Sequence, residues 1–145
     1  MYFDVKFDKE DNQWKKFEND SADIFEKFDY TVERNVRFKT DRRFQIDFIA
    51  YDKKRRFFVD CKNHAYIPPE KEREFAKKQL TRAYNFLVKD GNEGKKDIIL
   101  LVTKNKTNSL LMHREDGEKI LAVDFYSLPA LLKDIELYES ELFMF

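Results

Sequence analysis

From Asn12 to Phe28 the positions Trp14, Phe17, Ser21, Phe25 and Phe28 recur every three or four residues, with charged and amide side chains between them. That period places one apolar stripe on a helix, so the spacing predicts a first helix here whose inward face runs from Trp14 to Phe28. The period then changes. "YTVERNVRF" alternates as a strand does, and "RRFQIDFIAYD" and "RRFFVDCKN" follow, with "DKKR" as a polar turn between them. Three strands joined this way predict an antiparallel meander. "IPPE" stops the third strand, and its second proline suits the first turn of a helix. That helix is predicted from Pro69 to Lys89, because Phe75/Ala76, Leu80, Ala83/Tyr84 and Leu87/Val88 keep helical spacing until "DGNEG" ends it. "KDIILLVTK" is apolar without a break, the pattern of a strand covered on both faces. After a polar connection, "ILAVDFYSL" reads as a further strand and "PALLKDIELYESEL" as a terminal helix. The order α, three β, α, β, β, α predicts a mixed α/β fold, a central mixed sheet with helices on its faces.

Composition narrows this only a little. At 145 residues the chain suits a single domain, 1–145, and it carries no internal repeat, low-complexity tract or Gly/Ser/Pro-rich linker to divide it. A hydrophobic share of 42% argues against disorder, while 39% charged residues make the surface unusually ionic. Bases and acids balance at 28 each, so net charge gives no argument about partners. Their distribution does. Residues 1–30 carry nine acids against five bases, residues 31–64 ten bases against five acids, and the last thirteen residues four acids and one base. The basic middle, "VERNVRFKTDRR" and "DKKRR", is the stretch suited to a polyanion. A lone cysteine, Cys61, excludes a disulfide framework and a cysteine-rich zinc site. With no apolar run of the roughly 20 residues that span a bilayer and no signal-peptide pattern in "MYFDVKFDKEDNQ", the expectation is a cytoplasmic protein without a membrane partner.

The chemistry is concentrated in two neighbouring strands. Alternation puts Phe58, Asp60 and Lys62 on one face and Phe57, Val59 and Cys61 on the other. Asp47 lies in the partner strand, where cross-strand neighbours come within about 5 Å. Ionised groups in a sheet face are costly unless paired or bound to a metal. Two converging carboxylates suit a hard divalent cation such as Mg²⁺, with Mn²⁺ able to substitute, and a lysine beside them can hold a water for attack on a phosphodiester.

Asp47 followed by Asp60-Cys61-Lys62 across a hairpin resembles the PD-(D/E)XK, or restriction endonuclease-like, superfamily, which includes archaeal Holliday junction resolvases and many restriction enzymes. The resemblance covers roughly residues 14 to 103. It implies an α-β-β-β-α-β core and a Mg²⁺-dependent endonuclease acting on DNA, RNA not being excluded. It further implies that Asp47 and Asp60 ligate the metal with the backbone carbonyl of Cys61, and that Lys62 positions the water. Glu18, on the first helix in "FENDSADIFEKFDYTV", would join through a water on the metal. Gln79 is a further candidate, an amide on the inward stripe of the second helix. Three departures stand out: Ile46 replaces the proline that gives the family its name, Tyr84 follows Gln79 at five positions rather than the family's spacing, and no strongly basic terminal segment of the kind that binds junctions is present. Arg34, Arg37, Arg42 and Arg43, with the "DKKRR" turn, become the expected phosphate-contacting rim. His64 and His113 are read as non-ligands, and Cys61 as a small buried hydrophobe. A duplex has two strands, which suggests a homodimer. The rival reading is a nucleic-acid-binding or protein-interaction module on the same fold that has lost turnover.

Overall fold

The computed structural model describes residues 2–64, 66–91, 93–104, 111–115 and 118–142, with backbone alone for 2–12, 111–115 and 140–142. Helix α1 (Tyr2–Lys27) leads into strands β1 (Thr31–Lys39), β2 (Arg43–Tyr51) and β3 (Arg55–Lys62). Helix α2 (Pro69–Asp90) crosses to β4 (Lys96–Thr103), β5 (Leu111–Glu115) and β6 (Glu118–Asp124), and α3 (Leu128–Lys133) and α4 (Ile135–Leu142) follow a single 3₁₀ turn. The strands form one sheet in the order β1-β2-β3-β4-β6-β5. β1, β2 and β3 are antiparallel neighbours, and β3, β4 and β6 run parallel. The meander, the central buried strand and the mixed sheet flanked by helices are thus as expected.

Three elements differ from the periodicity. α1 begins at Tyr2 rather than Asn12; Phe3, Val5 and Phe7 alternate with polar residues, a strand-like period that conceals a helix. β5 lies inside the stretch read as a polar connection, five residues paired only to β6 at the sheet edge. The terminal helix is two helices, broken at Asp134.

Each sheet face carries its own core. On one, Phe17, Ala22 and Phe25 of α1 pack on Phe48, Ala50, Phe57, Val59 and Cys61. Phe25 is fully buried and meets Tyr30, Phe48 and Phe57 edge-on at 5.8, 5.4 and 5.1 Å between ring centres. On the other, Ala76, Ala83 and Phe86 of α2 cover Ile46, Ile49, Phe58 and Leu101. The hydroxyl of buried Ser21 is satisfied by donating to the Phe17 carbonyl, one helical turn back. Trp14 departs from the predicted stripe: it is 44% exposed and takes no part in the core.

The acidic C-terminal segment packs on its own domain. Ile135 is buried against the α1 side of the sheet, and Glu139, also buried, forms a two-pronged pair with Arg55 of β3. The second prong measures 3.2 Å, and Lys96 Nζ stands 3.5 Å from the same carboxylate. Burial alone would lower the Arg55 pKa, but hydrogen bonds to Glu139 and Tyr30 outweigh it and raise the value. Arg56 is likewise buried, donating to Asp97 at 2.9 Å and to the Gly91 carbonyl at 3.0 Å. The "DKKRR" turn is therefore corrected. Arg55 and Arg56 are structural, at the end of β3 remote from Lys62, because a buried guanidinium must spend its donors on fixed partners.

Candidate active site at the fork between β2 and β3

Pairing between β2 and β3 runs from Tyr51↔Arg56 to Phe48↔Val59 and stops. One further step would set Asp47 opposite Asp60. The strands part there, and the Cys61 N–H donates to Asp47 Oδ2 at 2.8 Å. The fork coincides with a break in alternation. In β1 the backbone of Asn35 has φ 53°, the left-handed region, and neither Asn35 nor its opposite number Asp47 joins the otherwise continuous β1–β2 register. Ahead of the break Ile46 packs on the α2 side, whereas Phe48 beyond it packs on the α1 side. An asparagine tolerates that conformation better than most residues, which lets the hairpin exchange faces.

This local distortion brings the predicted carboxylates together. Asp60 is 4% exposed, and its Oδ2 is a buried oxygen with no hydrogen-bond partner. Two cations face that oxygen: Lys62 Nζ at 3.2 Å and Arg82 Nη1 at 3.6 Å. Asp47 feels both Asp60 and Glu18. Its pKa is pushed from 3.8 up to about 8, first by burial and then by repulsion from Asp60, while the Cys61 N–H pulls the other way and Glu18 adds to the rise. Asp47 is thus held largely protonated near neutral pH when no cation is bound.

Lys62 also rests over the Phe75 ring at 4.4 Å, and His64 stacks on the same ring. The side chain of His113 lies outside the described residues. Gln79 is fully buried on α2, as its place on the stripe predicted. Its Oε1 accepts from Arg82 Nη1 at 3.2 Å, and its Nε2 has no hydrogen-bond partner. Tyr84 is 64% exposed and points away from this face. Cys61 is fully buried among apolar groups, with its thiol pKa raised by that burial.

Arg82 is the residue that sequence reasoning missed. It follows Gln79 by one helical turn, and that spacing from a buried amide was the available signal. Of the predicted rim, Arg34 is engaged by α1, donating to Asn19, Asp23 and Glu26 at 2.8, 3.0 and 2.7 Å. Arg37 is exposed beside the carboxylates, in a cavity of about 410 Å³ that also holds Glu18 and Asp47. Arg42 and Arg43, at the tip of the β1–β2 hairpin, line a shallow groove with Lys78, Thr81 and Arg82 of α2. The hairpin tip is held there by Thr40 donating to Asn85 at 2.9 Å and by Lys89 donating to the Lys39 carbonyl at 3.1 Å.

The donor set fits a hard cation. Two carboxylates that repel one another are what Mg²⁺ takes alongside water and phosphate oxygens. Among the described residues no group of three or more His, Cys, Asp or Glu side chains is placed to hold a metal ion by itself, so a cation here would take its remaining ligands from backbone, water or phosphate.

The raised Asp47 pKa has a consequence for stability. A carboxylate whose folded pKa lies above its unfolded value contributes most below about pH 4, and that contribution is lost as pH rises through about 8. In metal-free buffer, Asp47→Asn removes the repulsion and keeps an acceptor for the Cys61 N–H. The variant is expected to melt above the parent at pH 8.5, by on the order of 2 kcal/mol or more, and with it near pH 4. Equal melting curves at both pH values would contradict the carboxylate coupling.

A family model described as NERD, nuclease-related domain, matches residues 13–114, a span that includes Glu18, Asp47, Asp60, Lys62 and Gln79. No curated protein matches the chain. Among solved structures it is similar to a protein of unknown function, AF1548, at 16% identity and a TM-score of 0.47, with 61% of this chain and 47% of that one covered. The chain therefore spans less than half the length of that protein. Among the described residues no helix is long and apolar enough to cross a membrane.

Proposed function

Because the chain belongs to the nuclease-related domain family, we propose that it is a Mg²⁺-dependent endonuclease of the PD-(D/E)XK type that hydrolyses phosphodiester bonds in DNA. The observation that carries this reading is the fork between β2 and β3, where Asp47, Asp60 and Glu18 interact and Lys62 stands 3.2 Å from Asp60. Asp47 and Asp60 hold the cation, with the Cys61 carbonyl as a further ligand. When bound, the ion would supply positive charge to the phosphate under attack and would acidify water at the site. Lys62 donates a hydrogen bond to the attacking water and fixes its approach, a role for which the nearby Phe75 ring restrains the ammonium. Glu18 accepts from a water on the open side of the pair, and Gln79 orients Arg82 through their mutual hydrogen bond.

The groove between the hairpin tip and α2 supplies the path for the phosphate backbone. Arg42 and Arg43 reach it from one side and Lys78 and Arg82 from the other. Neutralising such contacts releases counterions, so each alanine substitution at Arg42 or Arg43 is expected to weaken DNA binding and lower the slope of log affinity against log salt by about one. Arg34→Ala is expected to lower stability with little change in that slope, because its donors are spent on α1. Filter binding across a salt series, beside thermal melts, separates the two; an Arg34→Ala slope reduced as much as that of Arg43→Ala would sink this division of roles.

Scission of both strands calls for two sites, which a symmetric dimer would provide. A monodisperse monomer in light scattering on DNA at working concentration would remove the dimer. The reading as a whole is tested by incubation with branched, duplex and single-stranded DNA in Mg²⁺ or Mn²⁺. Cleavage that requires the cation supports it, and binding without cleavage in either metal turns the reading to an inactive binding module.

A further inference from the structure

Trp14 begins the apolar stripe of α1, yet its side chain is 44% exposed while Phe17, one turn on, is buried. The indole lines two cavities at once. One, of about 430 Å³, contains Lys62, Asn63 and His64; the other, of about 410 Å³, contains Glu18, Asp47 and Arg37. Trp14 therefore borders both the cavity of Lys62 and that of Glu18 and Asp47, and a strand laid across the two cavities meets it. Lys15 and Arg37 line the second cavity and Lys62 the first, so each cavity that Trp14 borders also carries a cation. Among the described residues no aromatic ring stacks on the indole.

An exposed flat π-face bordered by cations is the arrangement that binds unpaired bases, since every base has a π-face and the cations take the phosphates on either side. Within a duplex those faces are already covered by neighbouring bases. We propose that Trp14 is a nucleobase-stacking subsite, and that the nucleic acid held at the carboxylates is single-stranded or locally unpaired there. The inference rests on the nuclease reading and narrows its substrate class.

Trp14 is the chain's single tryptophan, so its own emission reports the contact. The full chain is titrated with a labelled oligothymidylate and with a duplex of equal length, in EDTA and, in parallel, as the Lys62→Met chain in Mg²⁺. Tryptophan emission and oligonucleotide anisotropy are read together. Expected is saturable quenching by the single strand and little by the duplex, with Trp14→Leu weakening single-strand binding roughly 5- to 150-fold and Trp14→Phe retaining most of it. Because the side chain lies outside the core, both variants are expected to melt with the parent. Anisotropy binding that leaves the emission unmoved, and is not weakened by Trp14→Leu, overturns the subsite and leaves the nuclease reading standing. Quenching by duplex as strong as by single strand overturns the substrate class. Binding of neither oligonucleotide overturns the subsite and the nucleic-acid reading together.

Discussion

Lys62→Met is expected to lower the rate of DNA cleavage by roughly 10²–10⁴-fold while leaving the fold intact and cation affinity undiminished. The split follows from the geometry. Lys62 Nζ lies 3.2 Å from Asp60 Oδ2, close enough to neutralise part of the charge that would attract a divalent ion. Removing the ammonium leaves the two aspartates more negative, so Mn²⁺ should bind as well or more tightly, whereas the water loses its hydrogen-bond donor. Methionine preserves the contact with Phe75 and much of the side-chain volume. Single-turnover cleavage rates beside Mn²⁺ titration by calorimetry measure both halves. Weaker Mn²⁺ binding with a proportionate fall in rate would mean that Lys62 builds the site rather than acting in it.

Glu139→Ala carries the largest expected loss of stability, about 3–5 kcal/mol. Arg55 and Glu139 are each more than nine-tenths buried and satisfy one another with two hydrogen bonds. Deleting the carboxylate leaves the guanidinium between β3 and α4 with only Tyr30 and the more distant Asp52, 4.0 Å away, and that poorly compensated buried charge, rather than the lost attraction, accounts for most of the cost. For a chain of this size each kcal/mol is worth roughly 2–4 °C or more in melting temperature. The double variant Arg55→Met/Glu139→Leu should recover most of the loss by replacing the pair with apolar volume. Thermal melts of the three variants decide it: a Glu139→Ala melting temperature within a degree or two of the parent would show that α4 does not depend on the pair.

The sequence made the order of elements legible wherever one period ran cleanly, as in the alternation of "RRFFVDCKN" and the helical spacing from Phe75 to Val88. It also placed Asp60 with Lys62 and set Cys61 apart, since alternation holds unbroken through β3. Asp47 was reached by a weaker route. Cross-strand proximity to Asp60 is correct, but the strict alternation behind it fails at Asn35, whose backbone conformation no residue pattern announces. Trp14 looked like core because helical spacing says which face a side chain shares, not where the sheet beneath it ends. Arg55 and Arg56 looked like surface because charge density in sequence carries no information about burial, and their partners Glu139 and Asp97 lie 84 and 41 positions away. Arg82 could be reached only through its one-turn spacing from Gln79, because its link to Asp60 crosses from α2 to β3.

The most direct measurement is a cleavage assay on single-stranded and duplex DNA with the parent chain and Asp60→Asn, each in Mg²⁺, Mn²⁺ and EDTA. The account predicts that the parent cleaves in either cation and not in EDTA, and that Asp60→Asn, folded by its melting curve, is reduced to background in all three. Cleavage by Asp60→Asn at the parental rate, or by the parent in EDTA, would contradict a metal site at Asp47 and Asp60.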